Sequence, residues 1–185
     1  YGYDAYNATL AYYAQQGMLV VGGGSTLAQA RSPLILERES VSFGVLACNV
    51  PGPYYALVNE DPRLLGGVRP GAASCDWNWL QEAIPALATR VDVVLIGVQH
   101  WEFEQHTPTP EQRANYRRLI DLGADFVFGT APHMPQTFEF YNDGVIHYGL
   151  GNLFFDQPWW AHSRFFMDTL YLYEGRFIGM ELFPG

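Results

Sequence analysis

Residues 92–133 read "DVVLIGVQHWEFEQHTPTPEQRANYRRLIDLGADFVFGTAPH". The opening octet carries a nearly continuous apolar run, the pattern of a strand covered on both faces within a parallel sheet. Thr109 and Pro110 then open a helix, threonine as the cap and proline at the first helical position, and Gly123 closes it. "ADFVFGT" is the next buried strand. Strand, helix and strand in that order form a βαβ unit whose strands lie parallel and close together. Just beyond the first strand stands His100, and four residues past Gly129 stands His133. Ligands of open α/β sheets bind at the carboxyl ends of strands, so both imidazoles are expected at one edge. Neutral imidazole suits zinc, iron, manganese or nickel. A histidine that merely caps a strand end is the plainer alternative for each, and the residues alone leave both readings open.

Outward from this unit the pattern alternates helices with strands and then changes. Residues 4–16 have apolar residues at helical spacing and stop at Gly17. "MLVVGGGS" reads as a short buried strand entering a glycine turn, and "STLAQAR" as one or two helical turns capped by Ser25. "PLILERESVSFGVLAC" reads as a β-hairpin turning near Glu37 to Ser40. Residues 49–74 are rich in proline and glycine and read as a long irregular loop. "CDWNWLQEAIPALATR" reads as a helix capped by Asp76 or Ser74. Two further hairpins follow, turning at Asn142-Asp143-Gly144 and at Glu174-Gly175. The fold class is therefore mixed α/β, parallel βαβ structure joined to antiparallel hairpins.

The chain has 185 residues, 49% of them apolar, which suits one domain with a real core. Its formal charge is −9, from 10 basic and 19 acidic residues. A phosphate-backbone binder needs a basic stripe, so this balance argues against nucleic acid as a partner. The plain reading of Cys48 and Cys75 is two buried thiols, with a single disulfide as the alternative. No signal peptide and no membrane anchor is visible in these residues. "VVGGGST" lacks the lysine and the spacing of a phosphate-binding loop. No G-x-S-x-G elbow supports serine catalysis. Around the strand-end histidines, Glu102 and Glu104 can serve as proton donors or as further ligands. Asn152 can ligate a metal or orient a phosphate, and Asp156 can fix a ligand histidine from behind. His106, His147 and His162 carry no spacing signal, and His147 reads as a sheet-facing residue without special chemistry.

Together, "DVVLIGVQHWEFE", "EQRANYRRLIDLGADFVFGTAPHMPQTFEFYNDGVIHYGLGNLFFDQ" and "GGGSTLAQARSPLILERESVSFGVLA" closely resemble the bacterial CapA family of poly-gamma-glutamate capsule biosynthesis proteins, within the calcineurin-like metallophosphoesterase superfamily. The resemblance covers roughly residues 1–183. The family's His-Trp motif matches His100 and Trp101, with Glu104 at its glutamate. Its His-Pro-His motif matches Ala131, Pro132 and His133, with Gln136 three residues on. Its Leu-Gly-Asn turn and following aspartate match Leu150, Gly151, Asn152 and Asp156.

The resemblance implies a metallophosphoesterase-like β-sandwich flanked by helices, a four-layer αββα arrangement, partial here, in one domain over residues 1–185 that lacks its amino-terminal strands. It implies a dinuclear site of divalent manganese, iron or zinc ions at the strand ends, with His100 and His133 as ligands and Glu104 and Asn152 as the candidate catalytic groups. Trp101, Glu102, Gln136 and Asp156 are placed behind the ligands or against substrate. It further implies a hydrolase whose metal activates water against a phosphoryl centre. The substrate class is an anionic polymer or phosphoester, with a capsule synthase complex as partner, at the cell envelope or outside the cell. A family member that keeps the fold as a scaffold is the alternative. Ala131 stands where the family has a donor histidine, so one metal position loses a ligand unless water or Glu102 takes its place. Glu102 stands where the family has glycine. The family's earlier aspartate and Asn-His motifs are expected ahead of "YGYDAYNATLAYY".

Overall fold

The computed structural model describes residues 2–50, 52–101, 104–154 and 164–185. In chain order the elements are helix α1 (Gly2–Gln15), strand β1 (Gly23–Gly24), helix α2 (Leu27–Arg31) and strands β2 (Leu34–Arg38) and β3 (Val41–Asn49). A 3-10 turn (Tyr54–Ala56) and β4 (Gly71–Ala72) interrupt the long loop. Then come α3 (Trp77–Ala88), β5 (Val93–Gln99), α4 (Pro110–Asp121), β6 (Phe126–Thr130), β7 (Phe138–Tyr141), β8 (Gly144–His147), β9 (Phe166–Tyr173) and β10 (Arg176–Pro184).

Six strands form one sheet in the order β2-β3-β5-β6-β8-β7. β3, β5, β6 and β8 run parallel, and β2 and β7 close the two edges antiparallel. The mixed α/β expectation holds, with β5-α4-β6 as the parallel unit read from the sequence.

Alternation along the strands sends successive side chains to two different cores. Leu46, Val94, Ile96, Val98, Val127 and Ile146 face the helices, where Leu80, Ile84 and Leu87 of α3 and Tyr116, Leu119 and Ile120 of α4 cover them. Val93, Phe126 and Val145 face the opposite way and are covered by Leu170 and Leu172 of β9 and Phe177 and Met180 of β10. The described layers are thus helices, a six-stranded sheet and a two-stranded sheet.

Local chemistry explains the boundaries. Asp76 caps α3 by accepting from the Asn78 amide, and Thr109 caps α4 by accepting from the Gln112 amide. At the end of α4, Gly123 takes φ 111°, a left-handed conformation that suits glycine. The Asn142-Asp143-Gly144 and Glu174-Gly175 turns close their hairpins, with Asn142 and Glu174 at φ 49°.

Three expectations are corrected. Met18 to Val21 form no strand, and Met18, Leu19 and Val20 are exposed; only Gly23 and Gly24 pair, with β4. The cap of α2 is Thr26 rather than Ser25, because the Thr26 hydroxyl meets the Gln29 amide. Cys48 and Cys75 are bonded to each other rather than free, since the long loop returns its far end alongside the end of β3. The backbone bonds Asn49 N–H to Ala73 O and Cys75 N–H to Asn49 O bring the two cysteines together, with Cα atoms 5.0 Å apart.

Candidate functional site

Parallel register places the expected edge. Gln99 of β5 lies opposite Thr130 of β6, and the His100 amide donates to Thr130 O at 3.2 Å. The two strands therefore end level, and the chain segments holding His100 and His133 leave from the same edge. His100 is 4% exposed and its ring stacks edge-on against Tyr116 of α4, with centroids 5.8 Å apart. Burial lowers its pKa below the ordinary imidazole value, against a smaller opposing pull from Glu111. Burial therefore favours the uncharged ring.

His133 is oriented by Asn152. Its Nδ1 lies 3.0 Å from Asn152 Oδ1. An amide oxygen only accepts, so Nδ1 carries the proton and the lone pair sits on Nε2. A ring held in one tautomer by a neighbour behind it is how metal-binding histidines are generally presented. Asn152 thus touches His133 itself, which makes it a support for the imidazole as well as a candidate catalytic group.

Ala131 between the strand end and His133 has φ 91°. A residue with a Cβ is strained there, and strained backbone of this kind collects at functional sites. The chain turns sharply at Ala131, in a place where the side chain offers no donor.

Behind the turn lies a buried polar layer. Gln136 is 2% exposed and Gln112 of α4 fully buried. Gln112 Nε2 donates to Gln136 Oε1 at 2.8 Å and to Tyr148 O at 2.9 Å. Gln136 Nε2 donates to Gln105 O at 3.1 Å, and the Gln136 amide donates to Gly149 O at 2.8 Å. His106 Nδ1 donates to Pro135 O at 2.7 Å, and Thr137 N–H to His106 O at 3.0 Å. Gly129 is required here, because a Cβ at that position would collide with the Tyr148 carbonyl. Gln136 therefore lies buried under the turn, bonded to Gln112 and Gln105.

His147 differs from its sequence reading. It is 3% exposed, with Nδ1 2.6 Å from Asp168 Oδ2 of β9 and Nε2 3.1 Å from Gln136 O. It pins the second sheet to the same turn, a long-range pairing that no local spacing announces. Gln112 was also missed, although its spacing with Tyr116, Leu119 and Ile120 places it on the buried stripe of α4.

Of the other expected site residues, Trp101 is half-exposed at the end of β5 and Glu104 is exposed in the following segment. Glu102 and Asp156 lie outside the described residues. Among the described residues no cluster of three or more His, Cys, Asp or Glu is grouped as a metal would need. His100 and His133 alone would be one donor short of the three protein ligands usual at a catalytic zinc.

The family model described as "Bacterial capsule synthesis protein PGA_cap" matches residues 1–157. The chain belongs to this family. It is similar to the PGA biosynthesis protein CapA of Bacillus subtilis (strain 168), 32% identical over 162 residues, covering 86% of this chain and 40% of that protein. A "Probable polyglutamine synthesis accessory protein" of Mycobacterium tuberculosis (strain ATCC 25618 / H37Rv) is 25% identical over 197 residues, covering 100% of this chain and 52% of that one. The chain thus spans about half or less of the length of these relatives. A crystal structure of a hypothetical protein from Thermus thermophilus is similar with a TM-score of 0.47 at 16% identity, over 83% of this chain and 61% of that one, too slight to bear on function. His100, His133, Gln136 and Asn152 all fall within the stretch matched to the capsule synthesis family.

Proposed function

We propose that this chain is the metal-site portion of a capsule biosynthesis protein that hydrolyses a phosphoester or a poly-gamma-glutamate-related substrate with a divalent ion. The observation that supports it is the His133–Asn152 pair, carried with the buried His100 on segments that leave the level ends of two parallel strands. His100 and His133 Nε2 would hold manganese, iron or zinc, and such an ion would supply a hydroxide and neutralise charge on a phosphoryl group. Glu104 is the proton donor, and Trp101 presents a flat surface to the substrate. Glu102 and Asp156 are the candidates for further donors. The protein works at the cell envelope, beside a capsule synthase complex. The Cys48–Cys75 disulfide fits an oxidising compartment of that kind. No helix among the described residues is long and apolar enough to cross a membrane.

The test is metal content and phosphodiester hydrolysis in the full-length protein, wild type against His133→Ala. The variant loses bound metal and hydrolysis together; equal metal content in the two proteins removes His133 as a ligand.

Ala131, which offers no donor, supports a second reading, in which the fold serves as a scaffold for polymer or synthase. Such a protein purifies without stoichiometric metal, gains no hydrolysis from added manganese, and is retained on immobilised poly-glutamate.

A further inference from the structure

We infer that Gln112, on helix α4, is the positioning residue that sets the two donor-bearing turns against each other. This rests on the metal reading of that edge, and its structural half can be tested without metal. The first turn is the segment after β5 that carries Glu104, Gln105 and His106; the second is Pro132 to Thr137, which carries His133. Neither is part of the sheet. Each is tied to the other, and both are tied to Gln112 through Gln136.

One amide group forms the junction. Gln112 Nε2 uses both of its protons, one on Gln136 Oε1 and one on the Tyr148 carbonyl at the end of β8. The first bond fixes which way the Gln136 amide faces. With its oxygen turned to Gln112, its nitrogen must face the other way, and it donates to Gln105 O. The orientation of a single buried amide thus decides whether the first turn is held. The backbone bonds on either side of that amide, Gln136 N–H to Gly149 O and Thr137 N–H to His106 O, tie the second turn to the sheet end and to the first turn, and they loosen when the Gln136 side chain is released. Gln112 and Gln136 are almost completely removed from water, so water does not readily replace a lost partner.

Helix α4 is a rigid mount for such a part. Thr109 and Pro110 fix its start, one turn from Gln112, and Tyr116, Leu119 and Ile120 bury the same stripe. The same helix places Tyr116 against His100. One helix therefore sets His100 through an aromatic contact and the His133 turn through an amide chain. That arrangement suits a site whose ligands come from separate loops and must keep their separation within a fraction of an ångström.

The experiment uses the full-length protein with Gln112→Met, which keeps side-chain length and removes both donors. Gln112→Glu, which keeps the shape, is the second variant should the first fold poorly. Amide hydrogen exchange is followed at Gln136 and Thr137, with Val94 and Ile96 of β5 as internal references, and Mn²⁺ affinity is measured well below the melting temperature. The expected result is at least tenfold faster exchange at Gln136 and Thr137, unchanged exchange at Val94 and Ile96, and Mn²⁺ binding weakened about tenfold. Wild-type exchange at the two turn amides overturns the inference, as does acceleration shared equally by β5, or local acceleration with unchanged Mn²⁺ affinity. Should wild-type protein take up no Mn²⁺, the metal reading fails by itself. The exchange pattern then decides alone whether Gln112 holds the turns.

Discussion

Two irregular segments leave the carboxyl edge of the parallel sheet, and they are fixed by opposite means. The loop after β3, from Val50 to Ser74, is fastened by a covalent bond and a cation. The disulfide ties its two ends, and the Arg69 guanidinium, 6% exposed, donates to the carbonyls of Tyr54, Leu57, Leu65 and Gly67 while lying over the Tyr54 ring. The turn after β6, which carries His133, is fastened by neutral amides, imidazoles and a strained alanine. The first set of restraints fixes a shape. The second fixes an orientation and a tautomer, which is what a ligand needs and a loop wall does not.

The comparison predicts that damage to the first loop costs stability and spares the site. Reducing the disulfide, or replacing Cys48 and Cys75 with alanine, lowers unfolding free energy by about 3.5 kcal/mol, the chain-entropy value for cysteines 27 residues apart. Denaturant titration measures that loss, and metal content well below the transition stays at the wild-type level. Arg69→Met strips four carbonyls of their charged donor and costs about 3 kcal/mol. Proteolysis within residues 54–69 speeds up as a result, again without loss of metal. A fall in metal content in either case would mean that the two segments are one unit.

At the second segment the effects on stability are smaller and those on the site larger. Ala131→Gly relieves the positive φ and raises stability by about 0.5–1 kcal/mol, less what the freer unfolded chain takes back. Weaker metal binding accompanies that gain, because the turn is less fixed. An effect of similar size lies at the cap of α3, just past the end of the first loop. Asp76→Ala removes the cap of α3 and costs about 1 kcal/mol at pH 7. The Asn78 amide, with help from Arg31, holds the Asp76 carboxyl below its ordinary value. Its folded pKa is therefore depressed. The contribution is complete above the ordinary carboxylate range and disappears as pH falls through the lower folded value, so wild type and variant converge in acid.

What the sequence disclosed follows the range of each signal. The β5-α4-β6 unit, the Thr109 cap, Gly123 and both glycine hairpin turns depend on residues within a few positions of one another, and all were legible. Met18 to Val21 has the composition of a strand, but a strand needs a neighbour, and neighbours are a property of the whole sheet. The Cys48–Cys75 bond depends on a proline- and glycine-rich loop returning to its origin, which no spacing encodes. His147 finds Asp168 only because β9 packs across β8. Gln112 was hidden for a different reason: glutamine on a helix reads as solvated surface, and only its phase with Tyr116 and Leu119 gives it away. At the candidate site the two histidines and Asn152 were legible as residues. That Asn152 Oδ1 meets His133 Nδ1, and that Gln136 lies buried beneath the turn, required the folded chain.

On the proposed reading, His100 and His133 bind a metal ion at a shared edge. The most direct measurement is electron spin-echo spectroscopy of the Mn²⁺-loaded full-length protein, which detects nitrogen bound to the metal. The account predicts ¹⁴N couplings from imidazole in the wild type, reduced in His133→Ala and in His100→Ala. Mn²⁺ bound with no nitrogen coupling, or with couplings that both substitutions leave intact, would contradict it.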